Sequence, residues 1–384
     1  MILVIQVLFY AVIALLLYTY AVYPLALFII PAVNSTGQKS TGRPSKQSAA
    51  RSMEWPTISV IVAAYNESKV IEDKITNFLA SDYPGESEII VVSDASNDGT
   101  DEVMRKLVSP RVRLLVQERR QGKGAALNRA IPEARGEILV FTDATSTFAA
   151  QTLTELIRPF EDARVGLVNG RFYYRGAQLA NWYHRYERFL KALEVRHGLI
   201  GTAHGAIYAM RRKLWRQHDP RLVNDFLHPV LVSLQGYYAT AAREAICYEE
   251  FTMDAQFKRQ VRMVALAALV YFVMLPQLLR TRHWRSLWVL TSHKFLRWMT
   301  GVWLAALAVT SLLLGPNGCV YRLALGMEGL FAGMALLGLL ASALGLDERL
   351  GFVYRFVTLN WAATRGLWLY ARGRVPSVWE PSGI

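Results

Sequence analysis

The hydrophobic positions of this chain divide it into an apolar start, an alternating middle and an apolar end. Residues 1–33 contain no Asp, Glu, Lys or Arg, and the run from Ile2 to Ile30 exceeds the roughly 20 residues that a helix needs to cross a bilayer. A cleaved signal peptide is the alternative, but it requires a basic start and a shorter apolar core. We therefore expect a transmembrane anchor over residues 1–33.

A polar stretch separates this anchor from the middle of the chain. Residues 34–55 are rich in Ser and Gly and carry four Lys/Arg against one acidic residue. Positive charge next to a span marks the cytosolic side of a membrane. The pattern predicts a basic linker over residues 34–55, followed by a domain on the cytosolic face.

From residue 56 to about residue 260, short apolar runs alternate with amphipathic segments. This alternation predicts an α/β domain with a mixed or parallel sheet and helices on both faces. Ligands bind such sheets beyond the carboxyl ends of the strands, so the residues that follow the strands are the first candidates for a site. The expected strands are Ile58–Ala64, Glu88–Ser93, Arg113–Val116 and Ile138–Thr142, and helices are expected around 70–79, Glu102–Leu107 and Ala125–Glu133.

Long apolar segments return after Phe257. Within residues 261–297, Arg262–Leu279 is either a span or an amphipathic helix in the membrane interface. We favour the interface because cations bracket the segment closely. Residues 298–346 predict two transmembrane helices, of which the second carries Glu328, either a functional intramembrane carboxylate or one near the interface. Residues 347–384 hold five arginines and predict an interfacial or transmembrane C-terminal helix and tail.

The charge distribution separates a membrane role from a nucleic-acid role. The 384 residues are 53% hydrophobic and 19% charged, with a net charge of +13. Residues 56–250 contain 25 Lys/Arg and 24 Asp/Glu, so nearly all of the excess lies in the flanks. The middle domain therefore offers no basic surface for nucleic acid, and the excess lies where it meets anionic lipid headgroups. Two cysteines exclude a disulfide framework.

Polar side chains follow three of the predicted strands. Tyr65, Asn66 and Glu67 come after the first strand, and Asp94 and Asp143 end two others. A single Asp in such a position is often a cap for the next segment. Two of them on parallel strands face one crevice, which fits a nucleotide whose diphosphate carries a divalent ion, because Mg²⁺ takes only one or two protein carboxylates.

Three further segments are candidates for chemistry. Lys123 lies between two glycines at the start of a helix, where it can approach an anion, although the segment is not a Walker A loop. The small-residue loop 201–206 is either a tight turn or a place where the backbone approaches a sugar. Asp225 has apolar neighbours that tend to raise its pKa, which suits a general base.

The order and spacing of these segments resemble the membrane family 2 glycosyltransferases, the group of cellulose synthase, hyaluronan synthase and poly-N-acetylglucosamine synthase. The resemblance extends from the N-terminal anchor to Trp379-Glu380-Pro381. It implies a GT-A fold, a Rossmann-like sheet with helices on both faces. It also implies an inverting enzyme that transfers a sugar from a UDP-sugar to a hydroxyl acceptor in cell-surface polysaccharide or glycolipid synthesis. A Mg or Mn ion is the implied cofactor.

The resemblance also implies a role for each matching residue. Ser59–Glu67 looks like the first strand and nucleotide loop of the family, and Gly122-Lys123-Gly124 looks like its Gly-Lys segment. Asn224-Asp225-Phe226 resembles the acidic pair that contains the base, and Gln256–Gln260 resembles the Gln-x-x-Arg-Trp motif. The implied nucleotide-binding residues are Tyr65, Asn66, Glu67, Asp94 and Lys123; the metal ligand is Asp143; the catalytic residues are Asp225, Arg259 and Gln256; and the acceptor-binding residues are Gly201, His204, Gly205 and Asn224.

Three departures from the family pattern leave alternatives open. Thr145 replaces the second Asp of Asp-x-Asp, Asn224 replaces the first acid of the pair, and Gln260 replaces the motif Trp. The enzyme either polymerises a polysaccharide or adds one sugar to a lipid-linked acceptor, and a degenerate membrane scaffold is the non-enzymatic alternative. Expected partners are the donor, the acceptor and membrane lipids, with export proteins or further copies of the chain as additional possibilities.

Overall fold

A computed structural model describes residues 1–32, 54–175, 178–250, 253–344 and 351–375, apart from the side chains of 178–184, 250, 253–256 and 316. Most of the predicted linker 34–55 and the segment Trp379-Glu380-Pro381 lie outside these residues. The N-terminal apolar run is helical, with α1 (Ile2–Leu17) and α2 (Tyr23–Ile29) joined by a π-helical turn at Tyr18–Val22.

The predicted β-α alternation is confirmed between residues 58 and 143. The first four strands pair in parallel in the order β3-β2-β1-β4, so their carboxyl ends lie along one edge of the sheet. The elements are β1 (Ile58–Ala64), α3 (Ile71–Leu79), β2 (Ser87–Ser93), α4 (Thr100–Leu107), β3 (Val112–Val116), α5 (Lys123–Ala130) and β4 (Ile138–Asp143).

The second half of the sheet is mixed. Its eight strands have the order β3-β2-β1-β4-β7-β6-β8-β5, in which β7 runs antiparallel to both β4 and β6. This agrees with the expected α/β class. The elements are β5 (Thr147–Phe148), α6 (Thr152–Ile157), β6 (Val165–Arg175), α7 (Gln178–Val195), β7 (Tyr208–Arg211), α8 (Asn224–Leu234) and β8 (Tyr238–Glu250).

Two hydrophobic clusters cover the two faces of this sheet. All seven residues of β1 are buried because helices lie on both sides of it. Val60 and Val62 pack into the cluster formed with α3 and α6, whereas Ile61 and Ala63 pack into the cluster formed with α5. Successive side chains of a strand point to opposite faces, which produces this division.

The C-terminal part of the chain is helical. Among the described residues, three helices are long and apolar enough to cross a membrane: Ile2–Ile29, Phe257–Arg280 and Cys319–Ala343. The pair Trp284–Trp298 and Thr300–Leu314, bent by 56°, makes a fourth if it counts as one span. The elements are α9 (Met253–Arg280), α10 (Trp284–Val289), α11 (Leu296–Trp298), α12 (Thr300–Leu314), α13 (Cys319–Ala343) and α14 (Phe352–Ala371).

The helices divide the C-terminal region differently from the predicted segments. The boundary at residue 260 falls inside α9, a continuous helix whose apolar part is half buried against the rest of the protein. The uncharged run from Trp298 to Tyr321 is not one helix. It bends before Thr300 and ends in a 3₁₀ turn at Gly315–Asn317, because Pro316 lacks the N–H group that a continuing helix needs.

Helix α8, which begins at Asn224, connects the sheet domain to the apolar helices. Its residues Phe226 and Leu227 belong to one buried cluster with Val264 and Tyr271 of α9 and with Ala363 of α14. Displacement of α9 or α14 would therefore move the helix that carries Asp225.

Gly136, which precedes β4, provides a test of this packing. A Cβ atom there would lie 2.3 Å from the backbone N of Ser59, and the Gly136 N–H donates to Ser59 Oγ over 2.8 Å. We expect Gly136→Ala to cost about 1–3 kcal/mol of stability, because the clash is with backbone that cannot rotate away. Thermal unfolding in detergent measures this effect. Gly333→Ala in α13, where a Cβ meets nothing within 4 Å, is the control, and equal melting temperatures for both variants would contradict the described packing.

Candidate active site

The loop after β1 is tied to the loop after β2. The Asn66 N–H donates to Ser96 Oγ over 3.1 Å, and Asn66 Oδ1 accepts from the Asn97 N–H over 2.9 Å. Asn66 adopts φ = 56°, a left-handed conformation that Asn tolerates better than most residues. The neighbouring Tyr65 ring lies 3.7 Å from the Arg120 guanidinium carbon, so an aromatic and a cationic group stand together at the strand ends.

Asp94 anchors the start of α5. Its two carboxylate oxygens accept hydrogen bonds from the N–H groups of Gln121 and Gly122, each over 2.7 Å, and the residue is 1% exposed. The glycine after Lys123 is also required by packing, because a Cβ on Gly124 would lie 2.1 Å from the carbonyl oxygen of Pro220. These contacts fix Lys123 at the first position of the helix.

Lys123 and Asp143 form an ion pair at the end of β4. Burial alone would raise the pKa of Asp143, but Lys123, together with Arg259 and Lys74, outweighs burial and holds that pKa below its ordinary value. Glu67 lies on the same side of the crevice. Its burial, together with the charges of Asp143 and Asp98, raises its pKa to about 7. Asp143 is thus the carboxylate of this pair that stays ionised at neutral pH.

A buried lysine that sequence reasoning missed forms hydrogen bonds at the end of β4. Lys74 Nζ donates to Thr142 Oγ1 over 2.9 Å and to the Ser146 carbonyl over 2.6 Å, and the residue is 1% exposed. Burial lowers the pKa of Lys74 to about 7. The available signal was its spacing, because Lys74 falls on the apolar face of α3 with Ile71, Ile75 and Phe78.

Gly205 lies beside both Asp143 and Asp225. A Cβ on Gly205 would lie 3.3 Å from Asp225 Oδ2 and 3.9 Å from Asp143 Oδ2, so a side chain here would fill the space next to both carboxylates. Asp225 Oδ1 is buried and accepts no hydrogen bond from the described residues. Burial raises the pKa of Asp225, and the nearby Lys123 opposes that effect without cancelling it. Asp225 is therefore a carboxylate with free proton-accepting capacity.

The loop that carries Gly205 is held by three hydrogen bonds that its backbone N–H groups donate. The Gly201 N–H donates to Glu194 Oε2 over 3.1 Å, and the Ala203 N–H donates to the Asp225 carbonyl over 2.8 Å. The His204 N–H donates to Asn169 Oδ1 over 2.7 Å. Each bond connects the loop to a different element, namely α7, α8 and β6.

Glu194 also connects this loop to the N-terminal helix. The Tyr23 hydroxyl of α2 donates to Glu194 Oε1 over 2.9 Å, and His293 Nδ1 bonds the same carboxylate oxygen. Glu194 and His293 are fully buried, and the His293 ring on its other side contacts Glu187 Oε2 at 2.6 Å. The sequence pattern gave no indication of this contact between residues far apart in the chain.

A cavity of about 740 Å³ opens beside Gly205 and extends to the apolar helices. Its wall includes the predicted residues His204, Gly205, Asp225 and Arg259, and also Glu249, which sequence reasoning missed. Arg259 Nη1 lies 3.7 Å from Glu249 Oε2.

Two of the four predicted acceptor-binding residues do not line this cavity. Asn224 Nδ2 donates to the Tyr208 hydroxyl in the interior, and the Gly201 N–H donates to Glu194. The predicted nucleotide and metal residues also lie outside its wall, namely Tyr65, Asn66, Glu67, Asp94, Lys123 and Asp143. Gln256 lies in the first turn of α9, and its side chain is outside the described part of the structure.

The carboxylates fit a divalent ion held mainly by its substrate. Within the described ranges, no three His, Cys, Asp or Glu side chains converge as a set of metal ligands. Asp143 offers one ionised carboxylate, which suffices for an ion that completes its shell with phosphate oxygens and water. The Lys123 ammonium supplies the counter-charge to Asp143 in the structure.

Comparison with known proteins gives a match for the sheet domain. Residues 59–218 match the family model for Glycosyl transferase family 2. Over 121 residues the chain is 33% identical to the beta-monoglucosyldiacylglycerol synthase of Trichormus variabilis, an alignment that covers 30% of this chain and 26% of that protein. It is 33% identical over 119 residues to the poly-beta-1,6-N-acetyl-D-glucosamine synthase of Staphylococcus aureus strain COL, covering 30% of this chain and 29% of that protein. The chain thus spans under a third of the length of these relatives.

A solved structure matches the chain from the first helix to the last. The mannosyltransferase PcManGT from Pyrobaculum calidifontis, in complex with GDP-Man and Mn²⁺, aligns with a TM-score of 0.70 at 21% identity. The alignment covers 96% of this chain and 99% of that one. At this identity the match shows the fold, and it confirms the GT-A arrangement that the sequence motifs implied.

Tyr23→Phe tests the contact between α2 and the Gly201–Gly205 loop. We expect the loss of the Tyr23 hydrogen bond to the buried Glu194 carboxylate to cost about 1.5–3 kcal/mol, the usual range for a bond to a charged group. Thermal unfolding of the full chain in detergent measures the change. Tyr10→Phe in α1 is the matched control, because this residue is half exposed and its hydroxyl bonds Tyr321 rather than a carboxylate. A loss no greater than that of the control would contradict the expected contribution of the Tyr23–Glu194 bond.

Proposed function

We propose that the protein transfers a sugar from a nucleoside-diphosphate sugar to a hydroxyl group of a membrane-associated acceptor, starting from the match of residues 59–218 to the family model for Glycosyl transferase family 2. The observation that carries this proposal is the position of Gly205, which lies next to both Asp143 and Asp225. A donor diphosphate at Asp143 and an acceptor hydroxyl at Asp225 would meet beside this glycine.

The proposed reaction is a single displacement. The acceptor oxygen attacks the anomeric carbon while Asp225 takes the hydroxyl proton. The bond from that carbon to the diphosphate oxygen breaks, and its electron pair leaves with the nucleoside diphosphate. One base suffices and no covalent sugar–enzyme intermediate forms, so the configuration at the anomeric carbon inverts. The raised pKa and the unpaired Oδ1 of Asp225 support this role.

Cationic residues of the site would stabilise the leaving diphosphate. Lys123 and Arg259 lie close enough to Asp143 to lower its pKa, so both can approach an anion there. Asp143 would hold a Mg or Mn ion, which supplies positive charge to the diphosphate when it is bound.

The nucleotide would bind at the residues that follow the first two strands, namely Tyr65, Asn66, Glu67 and Asp94. The motif resemblance favours a UDP-sugar, whereas the full-length structural match holds GDP-Man. A direct comparison of UDP- and GDP-linked donors is therefore the first experiment on the nucleotide.

Transfer of one sugar or a few is favoured over polymer synthesis. Gln260 lines the cavity at the position where the resembled motif carries Trp, so the cavity lacks that aromatic platform for a growing chain. The apolar helices and the basic flanks support a membrane location with the sheet domain on the cytosolic face. Measurement of product length would distinguish single transfer from polymerisation.

Asp225→Asn tests the proposed base. The amide keeps the size of the side chain but cannot accept the proton, so we expect transfer to fall by about 10²–10⁴-fold. Donor binding, measured by calorimetry with UDP- and GDP-sugars, is expected to stay within about twofold. Asp219→Asn, at an exposed carboxylate paired with Arg221, is the matched control and is expected to keep full activity. Transfer by Asp225→Asn at the wild-type rate would exclude Asp225 as the base.

A further inference from the structure

A buried lysine that the proposed reaction does not use lies in the wall of the cavity beside Asp225. Lys191 of α7 is 6% exposed and lines the cavity together with His204, Gly205 and Asp225. Of the residues proposed for the donor, Arg259 shares this wall, whereas those proposed for the nucleotide and the metal do not. The cavity is therefore mainly on the acceptor side of the proposed reaction.

A short series of contacts joins Lys191 to the proposed base. Lys191 Nζ lies 3.5 Å from His204 Nδ1 and 3.4 Å from His204 Nε2. His204 precedes Gly205 in the chain, and a Cβ on Gly205 would lie 3.3 Å from Asp225 Oδ2. The charge of Asp225 also acts on the pKa of Lys191, which it raises. The ammonium and the base carboxylate thus lie close together in one cavity wall.

The Lys191 ammonium keeps most of its hydrogen-bonding capacity. It carries three N–H donors, and in the described part of the structure its hydrogen-bond partner is the His204 ring. The lone pairs of the two ring nitrogens diverge, so an atom almost equally far from both lies along neither. Both contacts are also long for hydrogen bonds. Donor capacity is therefore left for a ligand in the cavity.

Burial of this ammonium is not compensated by a direct ion pair. Among the residues that the structure describes, no carboxylate pairs with Lys191. Burial lowers the pKa of Lys191 to about 7, and more distant carboxylates oppose that effect without cancelling it. A buried donor without a well-aligned partner costs free energy, and a ligand oxygen in the cavity would recover it.

The charges around Lys191 favour a neutral hydroxyl as the ligand group. Three carboxylates act on the ammonium, namely Glu187, Glu194 and Asp225. An anion placed at Lys191 would meet their repulsion, whereas a hydroxyl accepts the same hydrogen bond without it. The Phe172 ring lies edge-to-face with the His204 ring at 4.8 Å between centroids and also lines the cavity. Polar donors beside an aromatic surface suit the hydroxyl and C–H groups of a sugar.

We propose that Lys191 is a specificity-determining residue, whose ammonium donates a hydrogen bond to an acceptor-sugar hydroxyl next to the hydroxyl that Asp225 deprotonates. The inference rests on the proposed function and adds how the acceptor is selected. Lys191 would orient the sugar ring so that the attacking oxygen faces Asp225. A site built to bind a hydroxyl rejects the analogue that lacks it, because the buried donor is then left unpaired.

Deoxy acceptors test the proposal with the full chain in detergent. Octyl glycosides of glucose, mannose and N-acetylglucosamine are supplied as acceptors beside dioctanoylglycerol, each with UDP-glucose, UDP-N-acetylglucosamine and GDP-mannose. The linkage of the product identifies the attacking hydroxyl of the best glycoside. Acceptors that each lack one other hydroxyl are then compared with this parent. We expect the loss of one hydroxyl next to the attacking one to lower kcat/KM at least tenfold.

Variants assign that preference to the ammonium. We expect Lys191→Met to lower kcat/KM for the parent about tenfold and to make parent and deoxy acceptors equal within about twofold, because both changes remove one hydrogen bond. Lys191→Arg keeps a cationic donor and is expected to restore part of the preference. Lys106→Met, at an exposed lysine of α4, is the matched control and is expected to keep it fully. The preference compares two acceptors on one enzyme sample, so partial unfolding of a variant cancels. Lys191→Gln replaces the methionine variant if that variant does not fold.

The outcomes separate this inference from the function on which it rests. Equal use of every deoxy acceptor by the wild type overturns the proposal before any variant is made. A preference that Lys191→Met retains overturns the role of Lys191, and so does coupling of this variant to a deoxy donor instead of a deoxy acceptor. Faster, Lys191-dependent transfer to the octyl glucuronide would make the bound group a carboxylate and overturn the hydroxyl. Transfer to dioctanoylglycerol alone overturns the sugar acceptor, whereas no transfer to any acceptor contradicts the proposed function itself.

Discussion

The site depends on keeping three carboxylates together in one half-buried crevice. Burial raises the pKa of Asp225 and of Glu249, and the charge of Asp143 adds to that effect, whereas nearby cations hold the pKa of Asp143 below its ordinary value. Such a group is stable only when cations approach it from several sides. Lys123, Lys74, Arg259 and Lys191 do so from α5, α3, α9 and α7.

The cations do not balance the carboxylates equally, and this inequality separates their roles. Lys123 pairs directly with Asp143 and helps to keep it ionised, which suits its proposed contact with a metal–diphosphate. Asp225 pairs with no cation in the described part of the structure, and its raised pKa suits the proposed proton transfer. Arg259 comes from the first turns of α9, so the charge balance of the crevice depends on a helix long enough to enter a membrane. In the proposed function, catalytic geometry and membrane attachment are therefore linked through one side chain.

The sequence predicted the parts of the fold that local pattern determines. The first four strands appear within one residue of their expected bounds, because continuous apolar runs between helical segments admit few other arrangements. The candidates at strand ends, Asp94 and Asp143, lie at the expected edge for the same reason. The sequence pattern did not predict the individual strands of the mixed half of the sheet, because β5 and β7 are too short to show an alternation of apolar and polar residues.

Contacts between residues far apart in the chain could not be predicted from the sequence pattern. Lys191 and Glu194 look like ordinary charged positions on a helix, and only packing shows that they are buried, whereas Lys74 could have been found by its place on the apolar face of α3. Asn224 is adjacent to Asp225 in the chain, yet its amide turns toward Tyr208 because neighbouring helix positions point in different directions. Glu187 of α7 likewise meets Lys294 and Arg297 only in the folded chain.

The central claim is that Asp225 acts alone as a base in one displacement at the anomeric carbon. The most direct test is the configuration of the first product, read by proton NMR from the coupling of its anomeric hydrogen before any equilibration. The account predicts inversion, so a donor with an α-linked diphosphate gives a β-linked product. Retention of the α configuration would contradict it, because retention requires a second displacement or an internal return that a single base does not provide.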